Sequence, residues 1–244
     1  MSPVGAPALL EVQIAHKAFV TASGARLDVL RDLAFTLDPG ELGAFVGPSG
    51  CGKTTMLKIV AGLDADYRGR VVLPAAAKLG MVFQEPRLLH WRTVEQNVRL
   101  VAAAATADRL AELFHMLGLW EHRTHYPGEL SVGLARRVAL ARALAIEPDL
   151  LILDEPFASL DAPLARRLRD ELAALVDRLK ITTMLVTHDV EEAIGLADRL
   201  FLLSARPAHI LAEIPIAMRR SERSPNEIAS IKDEIARQLR PLAT

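Results

Sequence analysis

The residues with the most specific chemistry in this sequence lie at positions 47–55, which read GPSGCGKTT. This segment fits the phosphate-loop pattern G-x-x-x-x-G-K-[ST], between a predicted strand and a predicted helix. The glycines allow the backbone N–H groups to wrap closely around phosphate oxygens. Lys53 is predicted to reach the β- and γ-phosphates of a nucleotide, and the Thr54 hydroxyl is predicted to bind Mg²⁺.

The whole loop is expected to contact the nucleotide. Its residues are Gly47, Pro48, Ser49, Gly50, Cys51, Gly52, Lys53, Thr54 and Thr55. Cys51 is the only cysteine of the chain, so no internal disulfide can form. We interpret it as a small filler rather than a catalytic thiol, because no histidine or second cysteine is nearby in the sequence.

Two carboxylates follow the apolar run LLIL at positions 150–153. Buried parallel strands have this composition, and α/β sheets bind ligands at the carboxyl ends of their strands. Asp154 is expected to be a partner of Mg²⁺, and Glu155 a general base for the attacking water. His188 follows a second such strand and could contact the γ-phosphate, although the residue taken alone fits a surface loop before an Asp189 helix cap better.

Short apolar strands alternate with helices, which predicts an α/β fold. Strands are expected at 41–46, 150–153 and 182–186, and helices at 53–63 and 162–180, the second with Asp161 as its N-cap. Positions 92–145 should be mostly helical. The tail should form an amphipathic helix with Ile228, Ile231, Ile235 and Leu239 on one face.

Composition limits the possible partners and the location. The 29 basic and 30 acidic residues leave a net charge of −1, so no nucleic-acid partner is expected. The longest apolar candidate, at 100–107, is far shorter than the ~18 residues of a membrane span. The first residues lack a basic start and a cleavage site, so we expect no secretion signal and a cytosolic chain.

These segments, in this order, resemble the ABC transporter ATPases over positions 10–212. Gln84 stands at the family's Q-loop glutamine, which senses Mg²⁺ and the attacking water, and His188 stands at its switch histidine. The segment 129–144, ELSVGLARRVALARAL, resembles the signature helix. Phe19 lies near the aromatic residue that stacks on adenine.

The resemblance implies ATP and Mg²⁺ as cofactors and a head-to-tail pair of identical cassettes. Each ATP would lie between one phosphate loop and the other subunit's signature helix, where Ser131 and Gly133 would contact the γ-phosphate. Ser159 and Asp161 would belong to the D-loop. The cassette would hydrolyse ATP through Glu155 on the cytoplasmic face of the membrane, driving transmembrane permease subunits and, indirectly, using a solute-binding protein.

The implied architecture is one ABC ATPase domain over residues 1–244. A P-loop NTPase core with a mostly parallel sheet and an N-terminal antiparallel β-subdomain would comprise 10–84 and 146–212. A helical subdomain would be inserted at 85–145, followed by a C-terminal tail at 213–244.

The signature departs from the usual LSGGQ at two positions, Val132 and Leu134. Valine would be strained at Val132 if φ were positive there, and would only add bulk if φ were negative. We expect an active site with slowed hydrolysis.

The segment 83–98, FQEPRLLHWRTVEQNV, resembles importer cassettes for nitrate, sulfonate or taurine-type solutes. Its apolar residues would either form a groove for a permease coupling helix or belong to the helical core. They are Pro86, Leu88, Leu89 and Trp91.

Three other functions stay open at this point. A non-transport ABC ATPase would usually carry a coiled-coil insertion or a second cassette, and a P-loop kinase would not need the signature helix. A degenerate structural cassette is opposed by the intact Lys53, Asp154, Glu155 and His188.

Overall fold

The computed structural model describes residues 8–158 and 160–239. Its strands are β1 (Leu10–Val20), β2 (Arg26–Leu37), β3 (Leu42–Val46), β4 (Arg68–Val72), β5 (Leu79–Val82), β6 (Leu150–Asp154), β7 (Thr182–Thr187), β8 (Arg199–Leu203) and β9 (Ile210–Pro215). Its helices are α1 (Lys53–Val60), α2 (Val94–Arg99), α3 (Ala107–Met116), α4 (Val132–Leu144), α5 (Ala162–Leu179), α6 (Val190–Leu196) and α7 (Pro225–Leu239).

The chain divides into two compact units. The first comprises Met1–Leu73 and Ala173–Thr244, and the second comprises Pro74–Leu172. The helical segment expected at 85–145 lies within the second unit.

The first unit contains an antiparallel sheet in the order β2–β1–β4, which confirms the predicted β-subdomain. Its long strands alternate buried and exposed residues, as expected of a sheet with one face against a core. Leu10 pairs with Leu37 at one end of β1, and Phe19 pairs with Leu27 at the other. Phe19 therefore lies near the end of a strand.

The same unit contains the parallel strands β7, β3 and β8, with β9 antiparallel at the edge. Every residue of β3 and β7 is buried, as the apolar runs predicted. Phe45 of β3 stacks on Phe201 of β8 at 4.5 Å between ring centroids, and Phe35 of β2 packs on both. This aromatic cluster attaches the antiparallel sheet to the parallel strands that carry the phosphate loop.

The second unit pairs β5 with β6 in parallel, and α4 packs on both α2 and β5. At Gly80 of β5, an added Cβ would lie 2.5 Å from the carbonyl oxygen of Ala143, so only glycine permits this approach of α4. The second unit's core side chains include Leu110, Phe114 and Val138.

Several predicted boundaries shift by a few residues. Helix α1 ends at Val60 rather than at position 63, because Ala61 closes it and Gly62 turns at φ +70°. Strand β6 continues through Asp154 and β7 through Thr187, while β3 starts only at Leu42.

The region predicted as mostly helical at 92–145 contains α2, α3 and α4 with single 3₁₀ turns between α3 and α4. The predicted N-cap of α5 is confirmed, since the Asp161 carboxylate accepts a hydrogen bond from the Leu164 amide at 3.0 Å. Helix α7 buries Ile228 and Ile235 and half-buries Ile231, whereas the Leu239 side chain lies outside the described part. None of the helices within residues 8–158 and 160–239 is both long and apolar enough to span a bilayer.

Candidate nucleotide site

The phosphate loop lies between β3 and α1, as the sequence predicted. Gly50 and Gly52 adopt φ values of +77° and +130°, which side chains other than glycine rarely adopt. Space at Gly52 is also lacking, because an added Cβ would lie 2.9 Å from the side chains of Val29 and Leu30. The glycines of the motif are thus required by the backbone path itself, and the loop opens directly into the N-terminus of α1.

Lys53, the first residue of α1, is only 6% exposed. Its ammonium donates hydrogen bonds to the carbonyls of Gly47 at 2.8 Å and Pro48 at 3.1 Å. The loop therefore holds a positive charge against its own backbone, beside the amides of the α1 N-terminus. Such an arrangement favours the binding of a polyanion.

Phe19 lies at the end of β1 and is 43% exposed. The Lys17 ammonium lies 4.5 Å from the centre of the ring and also bonds Asp64 at 2.8 Å. A cavity of about 310 Å³ lies here, and its walls include Phe19, Arg26 and Tyr67. An exposed aromatic ring beside a cavity on the unit that carries the phosphate loop suits the base of a nucleotide.

In the second unit, Asp154 ends the fully buried strand β6 and is 6% exposed. Glu155 follows with φ +45°, a left-handed conformation that is uncommon for a residue with a side chain. The next residues form a turn in which the Ala158 amide donates to the Glu155 carbonyl at 3.2 Å. Backbone strain of this kind is concentrated at functional sites.

His188 lies in the first unit between β7 and α6 and is exposed. The following residue, Asp189, caps α6, since its carboxylate accepts hydrogen bonds from the amides of Glu191 at 2.8 Å and Glu192 at 3.2 Å. The helix cap therefore fixes the backbone that presents His188 at the end of a buried strand.

The match to a known family is direct. The sequence model of the ABC transporter family matches residues 30–158. The chain is 42% identical over 216 residues to the aliphatic sulfonates import ATP-binding protein SsuB of Bacillus licheniformis, covering 85% of this chain and 84% of that protein. It is 41% identical over 234 residues to SsuB 2 of Pseudomonas syringae pv. tomato, covering 94% of this chain and 97% of that protein.

The chain belongs to the ABC transporter ATP-binding family, and it is an ATPase. Its fold is that of the ATP-binding cassette MJ0796, whose dimeric structure bound to ADP and Pi matches with a TM-score of 0.74 at 26% identity. That match covers 86% of this chain and 99% of MJ0796.

The cassette's signature segment begins at the N-terminus of α4. The Ser131 hydroxyl caps the helix, accepting a hydrogen bond from the Leu134 amide at 3.3 Å. Val132 is the first residue of α4, and its φ is not positive, so valine is tolerated there without strain. Its side chain is 60% exposed, so the substitution adds apolar bulk to the surface beside Ser131. Gly133 is buried, with the side chain of Leu164 next to it.

The four apolar residues after the Q-loop, for which the sequence leaves a permease groove and the helical core as alternatives, do not share one environment. Leu88 is 8% exposed and belongs to the core, while Pro86 and Leu89 are half-buried. Trp91 is 72% exposed. Burial therefore assigns Leu88 to the core and leaves Trp91 as the exposed residue of the four.

One buried amide shapes this segment of the cassette. Asn97 of α2 is fully buried; its Nδ2 donates to the carbonyls of Leu89, Arg92 and Thr93, and its Oδ1 accepts from the Leu89 amide at 2.8 Å. Sequence reasoning missed Asn97 because an asparagine in a helix usually indicates an exposed position.

The predicted site residues are divided between the two units. The first unit holds Phe19, the phosphate loop and His188, and the second holds Gln84, Ser131, Gly133, Asp154, Glu155 and Asp161. Ser159 lies outside the described residues. Within the second unit, the backbones around Gln84 and Glu155 are joined by Arg136, which sequence reasoning did not single out.

Proposed function

We propose that this cassette binds MgATP between two copies of itself and drives the import of aliphatic sulfonates through transmembrane permease subunits. The observation that carries the solute class is identity of 41–42% with aliphatic sulfonate import proteins over most of both chains. Nitrate and taurine, which the segment 83–98 also suggests, are the competing solutes. A solute-binding protein would deliver the sulfonate to the permease.

The chemistry of the site supports these roles. Lys53 and the α1 amides bind the phosphates, and Phe19 stacks on the adenine. Glu155 accepts a proton from the attacking water. His188 and Gln84 hold that water and the γ-phosphate in place.

The oxygen donors of Thr54, Gln84 and Asp154 fit Mg²⁺, which prefers hydroxyl, amide and carboxylate oxygens. When bound, the ion would neutralise charge on the transferring phosphoryl group. In the dimer, the N-terminus of α4 with Ser131 and Gly133 would meet the γ-phosphate of the partner's nucleotide, and Asp161 would lie in the D-loop beside it.

Permease docking is proposed at the segment that contains Trp91. The Trp91 indole is 72% exposed and offers apolar contact area. Leu100 and Val101, which are near it in the sequence, are 53% and 46% exposed. The Asn97 bonds fix the backbone at positions 89–93, so this surface is preformed. A short amphipathic helix of the permease fits such a surface.

The test is reconstitution of the membrane complex purified through the tagged cassette. We expect a permease to copurify, and proteoliposomes with ATP and the binding protein to accumulate labelled alkanesulfonate faster than taurine or nitrate. Complexes carrying Glu155→Gln should bind ATP without accumulating any solute. Recovery of the cassette from membranes without a permease, or preference for nitrate, would disprove the proposal.

A further inference from the structure

Arg136 of α4 donates hydrogen bonds to three main-chain carbonyls of the second unit. Its Nη1 bonds the oxygens of Gln84 at 3.2 Å and Pro156 at 2.6 Å, and its Nη2 bonds that of Ala158 at 2.5 Å. One guanidinium thus joins the Q-loop to the turn that follows the catalytic carboxylates. Arginine suits this task because its rigid plane presents several donors at once.

The turn that Arg136 holds is the strained one. Glu155 has φ +45°, and a left-handed residue with a side chain persists only where its surroundings fix it. Arg136 bonds the carbonyl of the next residue, Pro156, and that of Ala158, which closes the turn with its amide on Glu155. The charge-assisted bonds on both sides of the turn are of the strong class.

Arg136 also lies five positions after Ser131 on the same helix, and the Ser131 hydroxyl caps that helix. A helix is a stiff element, so a displacement of its N-terminus moves the guanidinium and the carbonyls bonded to it. The side chain therefore connects the signature end of α4 to the backbones of Gln84 and Glu155.

We propose that Arg136 is a positioning residue that sets the geometry of Glu155 and Gln84 according to the position of the signature helix. It acts through the main-chain carbonyls that it binds. Its function is to convert engagement of α4 by the partner's nucleotide into an aligned general base. This inference rests on the proposed dimeric arrangement.

The proposal predicts a separation of turnover from binding. Arg136→Met removes all three bonds while keeping an unbranched side chain of similar length. We expect kcat for ATP to fall about 10- to 100-fold, since displacement of a catalytic group by about 1 Å has costs of this order. The Kd for a fluorescent ATP analogue should change by less than about twofold, because the phosphate loop is untouched.

Arg137→Met is the matched control. Arg137 is the next residue on α4 and donates to the Leu117 carbonyl at 3.3 Å and to Glu171 at 2.7 Å. The Arg137→Met variant therefore also loses guanidinium hydrogen bonds, but neither of these two joins the backbones of Gln84 and Pro156. We expect it to lower thermal stability as Arg136→Met does, while kcat stays within about twofold of wild type. Arg136→Lys, which keeps the charge but not the planar fork, should recover part of the rate.

Equal loss of kcat in both methionine variants, or unchanged kcat in Arg136→Met, would overturn the proposal. If Arg136→Met does not fold, Arg136→Lys and Arg136→Gln replace it. The proposal then requires that these variants lower kcat more than they raise the Kd for the ATP analogue. These measurements need no transported solute. Failure of sulfonate uptake by the wild-type complex would therefore count against the proposed function alone.

Discussion

The Arg206 guanidinium bonds the main-chain carbonyl of Gly50, in the middle of the phosphate loop. Its Nε donates at 2.9 Å, and Nη2 donates to the same oxygen. Arg206 lies between β8 and β9, two residues before Ala208, which bonds the backbone of β2 at both its amide and its carbonyl. The 204–209 loop therefore ties the phosphate loop to the antiparallel sheet that carries Phe19.

Arg206→Ala should weaken ATP binding more than it slows turnover. Without the guanidinium, the Gly50 carbonyl loses two donors and the loop loses a nearby positive charge, so its amides are less well ordered before the nucleotide arrives. We expect the Kd for ATP to rise roughly 3- to 10-fold, equivalent to about 1 kcal/mol, the net contribution of one ordinary hydrogen bond. Titration with a fluorescent ATP analogue measures the change.

Arg237→Ala is the control for Arg206→Ala. Arg237 also donates its Nε to a main-chain carbonyl, that of Asp233 at 3.2 Å, but it lies on α7. Its Kd for ATP should equal that of the wild type. An unchanged Kd in Arg206→Ala would show that the phosphate loop is ordered without this contact.

The sequence predicted those parts of the fold and site that depend on local pattern. Apolar runs located β6 and β7, the glycine spacing located the phosphate loop, and Asp161 was recognised as a helix cap. Each of these signals lies within a few consecutive residues, where periodicity and turn chemistry act directly.

Arg136 and Arg206 could not be predicted because their partners are main-chain carbonyls that are distant in the sequence. Asn97 could not be predicted because nothing in the sequence shows that its side chain is buried. Gln84 is 52 positions from Arg136, and Gly50 is 156 positions from Arg206. A carbonyl has no sequence signature, so neither residue differs in the sequence from a solvated surface arginine. The positive φ of Glu155 could not be predicted from the sequence either, since glutamate rarely adopts this conformation.

Glu155→Gln should retain ATP binding and lose hydrolysis. Glutamine has nearly the same shape but cannot accept the proton of the attacking water, which removes about 10²- to 10⁴-fold of rate. With hydrolysis blocked, ATP should accumulate between two cassettes, so light scattering should report a dimer with ATP and a smaller species without it. If the Glu155→Gln cassette stays monomeric at all ATP concentrations, and the complete transporter contains only one copy of it, the shared-nucleotide arrangement is contradicted.

Asp28 on β2 should make the stability of the cassette depend on acid. Hydrogen bonds from His16 at 2.9 Å and Arg31 at 2.6 Å lower the pKa of the Asp28 carboxyl from 3.8 to about 2. Because the folded pKa lies below the unfolded one, this carboxylate stabilises the fold above pH 3.8, and the contribution disappears as the pH falls through about 2.

Asp28→Asn should therefore be less stable than wild type at pH 6, and the difference should vanish near pH 2. Urea titrations at pH 6, 4 and 2 measure it. A gap between Asp28→Asn and wild type that persists at pH 2 would assign the effect to packing rather than to charge.

Val132→Ala should raise both stability and turnover. Val132 begins α4 with negative φ, so alanine is a better helix former and should stabilise by about 0.5 kcal/mol. The isopropyl group is 60% exposed beside Ser131, at the surface where the partner's nucleotide would dock. Removing its bulk should let the two cassettes close more tightly and raise kcat several-fold, as expected for relief of about 1 kcal/mol of steric cost. Steady-state hydrolysis at saturating ATP tests this, with Val72→Ala, also exposed, on β4, as the control. A lower kcat in Val132→Ala would show instead that valine contributes a favourable contact across the interface.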